Sequence, residues 1–216
     1  MVRKAHRWNA VLLGSFLAVH LVSHIFGVLG PDSHSLVLNV VRPLYRNALV
    51  EPLLLAAFAV QIGLGSALVW KRATTGIDRG WGMVQIISGI YLALFILAHT
   101  SSALFARYAN DLDTNFWWPA STLSKIQLGI FFYPYYFLGI SALFAHLAAA
   151  LHFRSAPIDI VRGLAATGTL IAVIVLSGFG GWYREFSVPV EYMKAFETYF
   201  PGQKAATIPT SLARRE

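Results

Sequence analysis

The chain has 216 residues, of which 56% are hydrophobic and 12% charged, with a formal net charge of +7 and a mean hydropathy of +0.59. A soluble domain carries roughly a quarter charged residues, so this composition excludes a disordered chain and argues against a water-soluble globule. The absence of cysteine excludes disulfides, thiolate metal sites, iron–sulfur ligation and thiol catalysis, and the basic residues fall in short clusters between apolar runs, as membrane loops do, which points away from a nucleic-acid partner.

Five apolar segments are expected to span a lipid bilayer, from about Trp8 to Leu29, Leu49 to Trp70, Gly82 to Ala106, Ile126 to Phe153 and Gly163 to Trp182. Each is near the length a helix needs to cross roughly 30 Å of hydrocarbon. A helix is also the only single segment that satisfies its own backbone there. The expected fold class is therefore all-α, an integral membrane bundle of five transmembrane helices over residues 1–182, with a tail at 183–216. The first segment does not read as a signal peptide: it is too long, carries two histidines and lacks a small-residue cleavage site. Pro134, near the start of the fourth span, marks a kink or a first-turn proline. In the tail, Phe186, Tyr192, Phe196, Tyr199 and Phe200 mix with charge, and residues 190–199 read as a short amphipathic helix at the interface or as a poorly ordered end.

Lysine and arginine set the orientation. Arg3, Lys4 and Arg7, then Lys71, Arg72 and Arg79, then Arg154 and Arg162 lie on one side of a five-span frame. Opposite them, Arg42, Arg46, Arg107 and Lys125 are balanced by Asp32, Glu51, Asp111 and Asp113. The positive-inside rule places the N-terminus in the cytoplasm and the tail outside. Trp8, Trp70 and Trp81 mark the inner interface, and Trp117, Trp118 and Trp182 the outer one.

The chemical signal is histidine. Ionisable side chains inside a bilayer cost free energy and need a reason. Of seven histidines, His20 and His24 lie on the first span, His99 on the third and His146 on the fourth. His152 lies near an end, and His6 and His34 are expected to be solvated. His20 and His24 are four apart and share a face. Counted at about 1.5 Å per residue, His99 lies roughly 12 Å, His24 roughly 9 Å and His20 roughly 15 Å from the outer ends of their spans. The first and third spans thus bring imidazoles to matching depth, where two of them can grip haem iron from both sides. His146 lies roughly 12 Å from the inner end. Its depth partner on the second span is Gln61, not a usual haem ligand. Small residues beside these histidines, Gly27 and Gly139 among them, leave room for a flat body. Hydrogen bonds to neighbouring helices, a bare transition-metal site and proton relay are the competing uses of such histidines.

In span count, in histidine placement and in the stretch Gln85-x-x-Ser88-Gly89-x-Tyr91 ahead of His99, the chain resembles the cytochrome b membrane anchors of succinate dehydrogenases and fumarate reductases, in their five-helix form with two haems. The resemblance covers about residues 8–182. It implies that His24, or alternatively His20, pairs with His99 on one haem b, the iron ligands favoured being His24 and His99. It implies that His146 matches one ligand of the second haem. The second span has no histidine, so one haem is expected; a second would need His20 with His146. The family's role is electron transfer between a flavoprotein–iron-sulfur pair and a membrane quinone, with the cofactor doing the redox step. The resemblance therefore implies a bacterial inner (plasma) membrane protein that is an electron-transfer subunit rather than a catalyst alone.

A quinone needs an apolar slot with a polar donor. Candidates are Gln61, Gln85 and Ser88 on one side, and Arg42, Arg46 and Tyr45 with Glu51 on the other. Interfacial snorkelling is the preferred reading of Arg42 and Arg46. Loop residues 110–115 read as a loop and helix cap rather than a calcium site. Gly63, Gly65 and Ser66 could seat a neighbouring helix, in the same chain or in a homo-oligomer. No phosphate loop, dinucleotide fingerprint or nucleophile–base pair is present. The alternative function is a small non-haem membrane transporter or sensor that handles protons through these histidines.

Overall fold

The computed structural model describes residues 1–76, 79–124 and 126–199; Lys125, Phe200, Arg214 and Arg215 lie outside them. The described residues form helices and no strand: α1 (Val2–Ile25), a 3-10 turn (Phe26–Leu29), α2 (Pro31–Tyr45), α3 (Val50–Thr75), α4 (Trp81–Ala109), α5 (Trp117–Leu123), α6 (Ile126–His152), α7 (Ile158–Phe179) and α8 (Val190–Tyr199). Five helices among them are long and apolar enough to cross a membrane: Val2–Leu29, Val50–Thr75, Trp81–Ala109, Leu128–His152 and Ile158–Phe179. The chain is thus an all-α, five-span protein, as expected. The first helix starts at Val2, ahead of the expected Trp8, and the last runs from Ile158 to Phe179 instead of Gly163 to Trp182. Hydropathy marks only the hydrocarbon-depth part of a helix. Backbone hydrogen bonding carries the ends on past it.

The spans close into a ring of neighbours. α1 packs on α3, α3 on α4, α4 on α6 and α6 on α7, and α7 returns to α1 and the 3-10 turn. Consecutive spans are neighbours, joined by short connections between α3 and α4 and between α6 and α7 and through α2 and α5 at the other two joints, and α1 and α4 are not adjacent in the ring. Small residues permit the closest approaches. A Cβ on Gly168 would strike Phe144, and one on Gly178 would lie 2.6 Å from the backbone of Gly27 and of Val28. Gly27 is buried against Phe179 and Gly139 against Phe95, so aromatic rings take the space expected for a flat body. Pro134 sits on an exposed face well inside α6, past its first turn.

One end of the ring carries a cap. Residues 30–48, expected as a loop, contain α2. Gly30, at φ 106°, makes the turn that L side chains resist. Pro31 then opens the helix where its missing N–H costs nothing, Asp32 in the first turn and Arg42 in the last suit the helix dipole. α2 buries His34 and Leu38 and leaves Leu36, Val40 and Leu44 exposed along another face, the pattern of a helix lying at an interface. Beneath the cap, Phe116, Ala120 and Leu123 pack on Val175, Leu176 and Phe179. α8 occupies residues 190–199 as the amphipathic reading expected. It is tied down by buried Tyr192, whose hydroxyl donates to the Asp113 carbonyl at 2.9 Å.

Ion pairs lock the same end. Arg42 and Arg46, one turn apart on α2, reach the two oxygens of Asp113 at 3.0 and 3.1 Å. This corrects the snorkelling reading: with a carboxylate in reach, the guanidiniums pair instead of extending to water. Burial would raise the Asp113 carboxyl, but hydrogen bonds and charge from Arg42 and Arg46 outweigh it and hold the group below its ordinary value. Arg107 at the end of α4 grips Glu51 at the start of α3 with both guanidinium nitrogens. Residues 110–115 act as a loop and cap, with the Asn115 side-chain oxygen accepting the Trp117 backbone N–H at 2.9 Å.

Candidate functional site

Four imidazoles gather beneath the cap. His20 and His24 come from α1, one helical turn apart, His99 comes from α4, and His34 hangs from α2. His24 is the hub. Its Nε2 lies 3.1 Å from Nε2 of His20, and its Nδ1 lies 3.4 Å from Nε2 of His34. Both outer nitrogens of this row, Nδ1 of His20 and Nδ1 of His34, are buried without a hydrogen-bond partner. His20 is also the imidazole that meets His99, with centroids 6.0 Å apart and planes 73° apart. Between the two histidines of α1, then, His20 looks across the ring of helices, and His24 looks toward the cap, where it meets His34 and Phe179.

Aromatic walls hold these rings. Phe16 stacks on His20 at 5.3 Å, and Phe95, four residues before His99 on the same face, stacks on it at 5.3 Å. Phe16 in turn touches Tyr45 and Phe58 edge-on. His34 packs against Phe116 and Phe179.

His34 corrects the sequence reading, which left it in solvent. It is 1% exposed. Burial, with the positive charge of Arg42 nearby, pushes its imidazole down to about 4, so it is neutral at ordinary pH and each ring nitrogen has one fixed role as donor or acceptor. The available signal was the four-residue spacing of His34 and Leu38 behind Gly30-Pro31, which makes a helix with an inward face.

The opposite half of the bundle holds a second polar network. His146 on α6 does not join the cluster: its Nδ1 lies 3.2 Å from the Ser88 hydroxyl and 3.1 Å from the Gln85 carbonyl. Gly89 makes room, since a Cβ there would lie 3.0 Å from Cε1 of His146. The Gln85 side-chain oxygen accepts from Arg72 at 3.0 Å. Gln61 does not pair with His146; it meets His6 at 3.1 Å and accepts from Asn9 at 2.9 Å. His6, also expected in solvent, is therefore a half-buried partner of α3, with Gly65 opposite it. His152 stacks on Trp81. The quinone candidates thus divide. Gln61, Gln85 and Ser88 belong to this network, while Arg42 and Arg46 are engaged by Asp113.

Among the described residues no three histidine or carboxylate side chains converge as a bare metal site would require. A flat cofactor held from two sides asks for something else. A metal-bound imidazole nitrogen lies about 2 Å from the ion, which puts two rings on opposite sides of one ion with centres roughly 6 Å apart. His20 and His99 meet that separation, on helices that are not neighbours in the ring, and His20 keeps a buried nitrogen open. In spacing and donor type these two imidazoles match what a haem held between α1 and α4 would ask for. Scanned against protein-family models, curated proteins and solved structures, the chain matches none.

Proposed function

We propose that this protein is a membrane-embedded b-type cytochrome that carries electrons to or from a quinone. It serves as the anchor subunit of a succinate dehydrogenase/fumarate reductase-like complex, beside flavoprotein and iron–sulfur subunits, or as a stand-alone relative. The observation that carries the reading is the 6.0 Å separation of His20 and His99 across the ring of spans. His20 and His99 would hold one haem b, and His24, the ligand favoured from the sequence, would stand behind His20. The haem would supply a reversible one-electron site. The chain itself supplies two imidazoles at one depth, aromatic walls that exclude water, and an ion-paired cap over one face. His146 is engaged by Ser88 and Gln85 and has no histidine on α3 to work with, which supports one haem per chain. The quinone would dock at the opposite half, where Gln61, Gln85 and Ser88 lie at hydrogen-bonding depth between spans.

The test is a visible spectrum of the detergent-purified protein. A reduced α-band of b type, lost in His99→Ala and in His20→Ala, is expected; a colourless wild type, or a band indifferent to both substitutions, overturns the reading. A second reading has its own observation. The row His34–His24–His20 engages both nitrogens of its middle member, which suits a colourless proton-handling transporter or sensor.

A further inference from the structure

We propose that His24 is a positioning residue for His20, and that His34, delivered by α2, is what fixes His24. The inference rests on the haem reading and assigns the two imidazoles that reading leaves over. An imidazole that binds a metal through one nitrogen usually gives its other N–H to a fixed acceptor, which sets the ring's tautomer and orientation and raises its basicity. His20 has that arrangement: Nε2 is held by His24 at 3.1 Å, and Nδ1 is buried and open. With Nδ1 of His20 given to the metal and all three rings neutral, the donors run in one direction. His20 donates to Nε2 of His24, and Nδ1–H of His24 donates to Nε2 of His34, 3.4 Å away. His24 cannot turn toward α4 without giving up both contacts, and Phe179 stands edge-on beside it. His34 is equally confined, 1% exposed between Phe116 and Phe179.

α2 enters because α1 alone offers nothing to hold His24 from the far side. The 3-10 turn and Gly30 fold the chain back so that His34 stands over the end of α1. The cap thus does more than cover the cluster. It sets the hydrogen bonding of an imidazole proposed as an iron ligand, and so the electron affinity of the site, since hydrogen bonds behind an axial ligand are among the means by which a protein tunes haem potential.

The experiment is redox titration with low-temperature EPR of the purified full chain, comparing wild type with His24→Phe, His24→Gln and His34→Phe. His24→Phe keeps a flat ring but removes the acceptor behind His20, so a less basic ligand and a midpoint potential shifted to more positive values are expected, with the low-spin signal retained. His24→Gln restores an acceptor and should return the potential toward that of wild type. His34→Phe removes the acceptor behind His24 and should give a shift of the same sign as His24→Phe and smaller size. A purely structural role would lower haem content and leave the potential of the remaining haem alone, and that result overturns the proposal. So does a high-spin signal in His24→Phe alongside a normal His20→Phe, which would make His24 the ligand. Should His24→Phe bind no haem, an unchanged potential in His34→Phe overturns it. A wild type without haem overturns the parent reading as well, whereas failure of the inference alone leaves a haem-loaded wild type.

Discussion

His20 and His146 share a residue type and a bilayer-depth position, yet their surroundings differ in what they leave unsatisfied. His146 has a hydroxyl and a carbonyl at Nδ1, whereas His20 has a buried nitrogen with no partner. An unsatisfied buried group costs roughly 1–3 kcal/mol, a cost that the proposed haem would offset at His20. Removing His146 should therefore be mild. His146→Ala is expected to retain the haem band and to lose about 0.6 kcal/mol, the typical value of a hydrogen bond between membrane helices, read by thermal denaturation in detergent. Asp113 gives a pH prediction. Its carboxyl is held below its ordinary value by Arg42 and Arg46, so its contribution is present above the unfolded value of about 3.9 and is lost as pH falls through the lower folded value. Hydrogen-exchange protection of α2 and α8, corrected for the intrinsic rate, should be flat from neutral pH down to about 4 and fall below it. Asp113→Asn should lower that protection at neutral pH and remove the step, by at most about 1 kcal/mol because the carboxylate is 42% exposed.

Between helices, the joint where backbone meets backbone is α7 on the 3-10 turn. Gly178 lies against backbone there, and neither side has a flexible side chain that could move aside. Gly178→Ala is expected to push α7 from the turn, displace Phe179 from His24 and His34, and destabilise by about 1–3 kcal/mol, the usual cost of overpacking. A lowered melting temperature together with a weakened haem band would be the reading, whereas Gly63→Ala, on the open face of α3 where nothing lies within 4 Å, should change neither. α2 is the element the sequence hid. Its apolar residues are split between an inward pair, His34 and Leu38, and an outward row, Leu36, Val40 and Leu44. A window scanning for long apolar runs sees neither as a span.

Five spans are an odd number of crossings, so the start of the first span and the end of the last lie on opposite sides of the bundle, and the two ends differ in charge. One end has the cap, with paired arginines. The other has Arg3, Lys4, Arg7, Lys71, Arg72 and Arg154 at helix ends. The proposed frame, drawn from the positive-inside rule, turns this second end to the cytoplasm. Reporter fusions at the N-terminus and after residue 182 should give cytoplasmic and external signals respectively, and both on the same side would refute the frame. In the proposed arrangement one haem per chain is expected from pyridine haemochrome against protein mass.

The sequence by itself determined the number of spans, the all-helical class and the places of His20, His24, His99 and His146 along their helices, because hydropathy and the 1.5 Å helical rise act along one chain and need no knowledge of neighbours. It also carried α8, whose period is local. Only the tertiary structure decided which histidine of α1 looks at His99, because His20 and His24 share a helical face and the choice between them is set by the rotation of α1 against α3 and α7. It likewise decided that His34 is buried and that Asp113, far along the chain, takes both arginines of α2. Those outcomes depend on which surfaces meet when the ring closes, and no periodicity within a single segment encodes that.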